Sequence, residues 1–316
     1  VSPAALALLP VALAGAAVGS GAGPQDPVAA RSRAPVRAVV LGIAQDGGVP
    51  HIGCAQELCT RARRDPRRRL RVACLGLVDE THGRRFLVDA TPDLASQLES
   101  LNAGRAVERR RPVDGILLTH AHVGHYAGLV YLGREALGAD AVPVLATPRM
   151  AGFLRGNGPW SQLVSLGNVG LREIEPGREV ELTPVLRVTP LTVPHRDEWS
   201  DTVAYRVRGP SRSLLYVPDI DKWEKWERRL EEEVGRVDVA LLDGTFHEAG
   251  EMPGRSLAEI PHPLVGETMA RLSRLARLVV FIHLNHTNRL LWDEAARRDL
   301  SARGFRVARD GEELPL

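Results

Sequence analysis

From residue 36 onward, short apolar, β-branched runs alternate with segments of helical periodicity. The period-2 runs predict strands at Val36–Leu41, Val72–Val78, Arg85–Asp89, Gly115–Thr119, Val142–Ala146, Leu186–Val193, Thr202–Arg208, Ser213–Val217, Val237–Leu242 and Leu278–His283. Helices are expected over Pro92–Leu101, His125–Leu137, Pro148–Leu154, Asp221–Val234, Pro263–Leu275 and Trp292–Arg303, with Asp221 as the N-cap of its helix. Many of the strands are wholly apolar, which requires cover on both faces. A strand-rich first half, a helix, more strands and closing helices suit an α/β sandwich of four layers, helix–sheet–sheet–helix, better than a doubly wound sheet. No glycine-rich dinucleotide fingerprint follows the first strand: Gly47-Gly48 leads into Val-Pro-His.

Composition narrows the class only a little. Apolar residues make up 44% and charged residues 25% of the 316, as in ordinary globular chains. A formal net charge of +2 is too small to argue for nucleic acid or an anionic membrane. Residues 1–25 carry no charge, and Leu6–Val18 is nearly all apolar or small. That run is shorter than the ~20 residues of a bilayer span, so no stable membrane span is expected. Residues 1–34 are read as a signal-like segment and linker, which points to a periplasmic or secreted protein. The alternative is an Ala/Gly-rich extension on a cytoplasmic protein. Residues 35–316 form the second unit.

The chemistry concentrates in Thr119-His-Ala-His-Val-Gly-His125, directly after an apolar strand. Residues two apart in an extended segment point to one side, so His120 and His122 can meet one cation, with His125 facing back to the same pocket. A cation held by neutral imidazoles lowers the pKa of bound water towards ~7, the chemistry of hydrolysis.

This run resembles the His-x-His-x-Asp-His signature of the metallo-β-lactamase superfamily, and four further motifs follow its order. Phe86-Leu-Val-Asp89 resembles the motif whose Asp orients a metal-binding His, Val193-Pro-His195 the one that completes the first metal set, Leu214-Leu-Tyr-Val-Pro-Asp219 the one whose Asp bridges two metals, and Leu278-Val-Val-Phe-Ile-His283 the one that closes the second set. Within the superfamily the chain is most similar to pyrroloquinoline quinone biosynthesis protein B and the phosphoribosyl cyclic phosphodiesterase. The likeness rests on Gly47-Gly-Val-Pro-His-Ile-Gly-Cys54-Ala-Gln-Glu-Leu-Cys59, Leu242-Asp-Gly-Thr-Phe246 and Ile282-His-Leu-Asn-His-Thr-Asn288. The resemblance implies a metal set of His120, His122, His125, His195, Asp219 and His283, with Asp219 and Asp89 as catalytic groups. It also implies a structural zinc on Cys54, Cys59 and His286.

Two departures stand out. Gln56 takes the place of a third cysteine, leaving a position that His51 can fill; the alternative is two free thiols without metal. Gly124 takes the place of the aspartate that helps hold the second metal, so one ion or two is left open, and zinc, manganese or iron all suit the remaining ligands.

Three functional readings follow. One is a hydrolase whose metal-activated water attacks a phosphodiester or a lactone-like cyclic ester. A second is a quinone-cofactor biosynthesis protein using a redox metal, and a third a non-catalytic metal-binding homologue. The partner expected is a small-molecule substrate; oligomeric state is not legible. Asp243 is read as a supporting residue or a turn residue, and His247 as a loop histidine. Trp160 lines an entrance or packs internally, and no role is assigned to His82 or His262. Seven arginines between Arg61 and Arg71 read as a solvated face.

Overall fold

Alternation along the strands divides their side chains between two cores. In β1 (Val36–Gly42), Ala38 and Val40 join one apolar cluster and Leu41 the other. β2 (Cys74–Asp79) sends Leu75 and Leu77 to the first and Cys74 and Val78 to the second. The split continues in β3 (Arg84–Val88), β4 (Gly115–Leu117) and β5 (Val142–Ala146), as a sheet covered on both faces requires. With β6 (Val169–Glu173) and β14 (Glu313–Pro315) they form a seven-stranded sheet in the order β14-β1-β2-β3-β4-β5-β6.

A second seven-stranded sheet contains β7 (Val180–Thr183), β8 (Leu186–Thr192), β9 (Val203–Arg208), β10 (Ser213–Val217), β11 (Val239–Asp243), β12 (Leu278–Ile282) and β13 (Phe305–Val307), in the order β13-β12-β11-β10-β9-β8-β7. Helices Leu94–Leu101 and Pro148–Gly156 pack on the first sheet through Leu94, Leu101, Met150 and Leu154. Helices Val265–Leu272 and Glu294–Ala302 pack on the second through Val265, Leu272 and Leu300. The four-layer sandwich is therefore the fold. Truncating a fully buried core ring such as Phe281 to alanine costs roughly 3–5 kcal/mol.

The computed structural model describes residues 34–106, 108–251, 259–275 and 277–316, of which Ala34–Leu316 is one compact unit. The signal-like segment lies outside the described residues up to residue 33. No described helix is long and apolar enough to cross a membrane.

Two expected helices are corrected. The segment at His125–Leu137 is a four-residue α-helix, Val123–Tyr126, followed by a 3-10 run, Ala127–Leu132. Its entry is held by Ala90, whose N–H donates to His125 O and whose carbonyl accepts from Gly128. The segment Asp221–Val234 is a 3-10 turn at Trp223–Lys225 and a short helix at Leu230–Gly235, so Asp221 caps no helix at Lys222. Both indoles explain the break. Trp223 Nε1 donates to Thr268 Oγ1 and Trp226 Nε1 to Thr192 O, each at 2.8 Å, and these bonds override helical periodicity.

Strand direction places the chemistry. β1, β3 and β4 run one way, as do β8, β10, β11 and β12 in the other sheet. The segments leaving their carboxyl ends carry Asp46, Asp89, His120, His195, Asp219, Thr245 and His283.

Candidate metal centre

His120 Nε2 and His195 Nε2 lie 2.9 and 3.1 Å from His122 Nδ1, and Asp219 Oδ2 is 3.4 Å from the first and 3.3 Å from the second. These four donors converge as a first metal-binding group. A second group is Asp46, His125 and His283. Asp46 Oδ1 stands 3.3 Å from His125 Nε2 and 3.4 Å from His283 Nε2. Donors bound at 2.0–2.1 Å around a tetrahedral cation lie about 3.3 Å apart, so this spacing suits one ion. Asp219 Oδ2 is also 3.8 and 3.9 Å from those two nitrogens, between the groups.

Asp46 is a donor that the sequence pattern did not reveal. It leaves the carboxyl end of β1 in the Gln45–Gly48 turn and enters the space beside Gly124. A Cβ on Gly124 would lie only 2.8 Å from Asp46 Cα and Cγ. The carboxylate absent from position 124 thus arrives from another loop.

The unpaired atoms fit a cation. Asp46 Oδ1, His125 Nε2 and His283 Nε2 are buried without a hydrogen-bond partner, a costly state for polar atoms unless a ligand completes them. Among the first set, burial holds His120 well below the usual histidine range and also lowers His122, keeping both imidazoles neutral as ligation requires. Burial disfavours the charged Asp219 and Asp46, yet the surrounding imidazoles outweigh it and hold both carboxyls well below the ordinary range. Burial likewise opposes protonation of His125 and His283. The Asp89 and Asp46 carboxylates reverse this for His125, and Asp219 and Asp46 for His283, so both titrate above the usual value.

Behind the donors, one device occurs twice. Thr119 Oγ1 donates to Asp89 Oδ1 at 2.9 Å and lies 3.0 Å from His120 Nδ1. Thr245 Oγ1 donates to Asp243 Oδ1 at 2.7 Å and lies 3.0 Å from His283 Nδ1. In each, the hydroxyl gives its proton to the carboxylate and accepts the imidazole Nδ1–H, leaving Nε2 bare towards the metal group. Asp89 also accepts from His125 Nδ1 at 2.8 Å, and Glu198 accepts from His122 Nε2 at 3.0 Å. Asp89 (φ 73°) and His283 (φ 63°) both adopt left-handed backbone, a strain of roughly 1–3 kcal/mol each. Ladder-like bonds hold them there, Asp89 N to Leu117 O and Leu284 N to Ile43 O.

His262, to which the sequence assigned nothing, is buried beside this centre. Its Nδ1 is 2.9 Å from Asp243 Oδ2 and 3.3 Å from Asp219 Oδ1. Asp243 is accordingly a supporting residue, bonded also to the Ile220 and Thr245 N–H groups. His247 lies in its loop and His82 pairs with Asp79. At the mouth, Trp199 is 62% and Val123 58% exposed, next in sequence to Glu198 and His122. Trp160 packs on Tyr126 (ring centroids 4.7 Å) within an aromatic group that reaches Phe153 and Trp199.

The four residues considered for a structural zinc are neighbours but do not close on one point. His51 and His286 stack at 4.2 Å, and the His51 N–H donates to Cys59 Sγ at 3.3 Å. No three of Cys54, Cys59, His51 and His286 bring their donor atoms within 4.8 Å of one another. His51 Nδ1 is turned to Ile52 O at 2.9 Å, and burial pushes the Cys59 thiol up.

Known proteins resemble this chain in sequence and fold. The model of the β-lactamase superfamily domain matches residues 84–284. Coenzyme PQQ synthesis protein B of Methylobacterium nodulans is 31% identical over 306 residues, covering 89% of this chain and 100% of that protein. The counterpart from Methylobacterium sp. (strain 4-46) is 30% identical over 309 residues, with 89% and 100% covered. Among solved structures, zinc-bound PqqB from Methylobacterium extorquens superposes with a TM-score of 0.76 at 26% identity, covering 89% of this chain and 100% of that one. A diphosphatase of the PhnP family shares the fold, with a TM-score of 0.66 at 23% identity over 89% of this chain and 98% of that one. The chain belongs to the metallo-β-lactamase superfamily and, within it, to the family of coenzyme PQQ synthesis protein B.

Proposed function

We propose that the chain is a metallo-hydrolase that uses two adjacent cations to open a phosphodiester or a cyclic ester such as a lactone. The observation that supports this is the second donor group, in which Asp46 replaces the carboxylate absent at Gly124. His120, His122 and His195 would hold one ion, His125, His283 and Asp46 the other, and Asp219 reaches both groups. Zinc is the favoured metal, because a family member binds it and imidazole–carboxylate sets suit it; manganese and iron remain alternatives. Such an ion, when bound, lowers the pKa of a coordinated water towards ~7 and polarises the electrophile.

The protein's own groups supply the rest. Asp219, whose Oδ2 lies between the two groups, would orient the attacking water there. Asp89 and Asp243, through Thr119 and Thr245, hold the His120 and His283 rings in the productive tautomer. His262 has Nδ1 committed to Asp243, which leaves Nε2 to protonate the departing oxygen.

A second reading is service in pyrroloquinoline quinone biosynthesis with a redox-active metal, favoured by the full-length identity to synthesis protein B. The non-catalytic reading loses the observation that suggested it, since Asp46 offers the carboxylate. A hydrolysis panel of phosphodiesters and lactones with zinc, manganese and iron separates the first two. Hydrolysis that falls at least ~100-fold in His122→Ala supports the hydrolase. Equal activity in that variant sinks it, and oxygen consumption with iron alone favours the second reading.

A further inference from the structure

The arginine run that reads as a solvated face is divided in its use. Arg63 donates to the carbonyls of His51 and Cys54, and Arg71 pairs with Asp310 across the fold. Arg61, Arg67 and Arg68 instead line a hollow of about 470 Å³, with Arg297, Trp292 and His286 on its other side. The loop from His283 to Asn288 separates the hollow from the metal centre: His283 faces the metal groups and His286 faces the hollow.

Charge is not balanced there. Arg61 is paired with Glu57, but Arg67 and Arg68 share the single carboxylate of Asp65, at 3.0 and 3.7 Å. Glu57 and Glu294 also line the hollow, Glu294 standing 3.7 Å from Arg298, so four arginines face two lining carboxylates. Arg297 has no carboxylate within ion-pair distance among the described residues. Its Nε donates to Leu290 O, which anchors the guanidinium where this hollow adjoins a second one lined by Arg306 and Arg309, and its Nη groups make no hydrogen bond among the described residues. Burial works against that charge, so an anion supplied from outside would stabilise it. Trp292, 59% exposed, stands on the same wall and offers its indole to a flat ring. His286 Nδ1 is buried without a partner.

We propose that this hollow is a binding site, separate from the metal centre, for a small anion carried on a flat ring, with the acidic groups on Arg297, Arg67 and Arg68 and the ring against Trp292. The volume falls within the ordinary range of small-molecule sites, roughly 300–1,000 Å³. Carboxylates and phosphates both satisfy the arginine forks, so either acid on a ring is admissible.

Calorimetric titration of the metal-loaded protein with trimesate, adenosine monophosphate and inorganic phosphate tests this. At least one ring-bearing anion is expected to saturate a single site, roughly tenfold or more tighter than phosphate. Arg297→Gln should weaken it roughly 10- to 100-fold and Trp292→Ala several-fold. The exposed pair Arg67→Gln/Arg68→Gln, whose partner is the surface carboxylate of Asp65, provides the same reading should Arg297→Gln misfold. A His122→Ala/His195→Ala protein should bind as the wild type does, since the metal centre is not involved. Absence of binding by both ring anions overturns the site. So does phosphate binding as tightly as they do, or unchanged affinity in the arginine variants.

Discussion

Asp46 occupies the space that a side chain at position 124 would need, its Cα and Cγ only 2.8 Å from where a Cβ would stand on Gly124. The two positions are therefore alternatives for one carboxylate. Asp46→Ala should bring bound zinc from about two ions per chain to about one, with hydrolysis falling on the order of 100-fold. Gly124→Asp alone should be destabilised by crowding and by like charge. Asp46→Gly combined with Gly124→Asp should recover the second ion. Metal analysis of the dialysed proteins checks all three, and full occupancy in Asp46→Ala would contradict the exchange.

The paired carboxylate–threonine–histidine contacts carry their own prediction. Thr245→Val removes the acceptor for His283 Nδ1–H and should weaken the second ion roughly 10- to 100-fold, while Thr245→Ser restores it. Competition against a chromophoric chelator measures this. A valine variant that binds both ions as the wild type does would rule the relay out.

Acid should empty the second group before the first. His125 and His283 titrate above the ordinary histidine value of ~6.5, because nearby carboxylates outweigh burial, whereas His120 and His122 titrate below it. A metal must therefore displace protons from His125 and His283 at pH values where His120 and His122 are already neutral. As pH falls from about 8 to about 6, affinity at the second group should fall by up to tenfold per unit for each proton displaced, and less at the first. Chelator titrations at several pH values follow this; earlier loss of the first ion is the contrary result.

The histidine triad was legible because extended spacing after an apolar strand constrains it, His120 and His122 being two apart, whereas His195, Asp219 and His283 were reached through the resemblance of their motifs to those of the superfamily. Asp46 was not, because its partner Gly124 lies 78 positions away and only the β1–β3–β4 alignment joins them. Its Asp-Gly-Gly setting looks like any turn. His262 was hidden between two prolines for the same reason. Over Asp221–Val234, where a helix was expected, the hydrogen bonds of Trp223 to Thr268 and of Trp226 to Thr192 hold the chain in a 3-10 turn instead.

His262 should matter most when the leaving group is poor. His262→Ala should slow hydrolysis of an alkyl phosphodiester by roughly 10²–10⁴-fold and leave a nitrophenyl ester nearly unaffected, because nitrophenolate needs no proton to depart. Equal losses on both substrates would assign His262 a purely structural part beside Asp219 and Asp243.

Anomalous diffraction from crystals loaded with zinc tests the two-ion centre most directly. The expected result is two peaks, one among His120, His122 and His195 and one within about 2.2 Å of Asp46, His125 and His283, with Asp219 between them. A single peak at the first group, with the Asp46 carboxylate away from any metal, would contradict it.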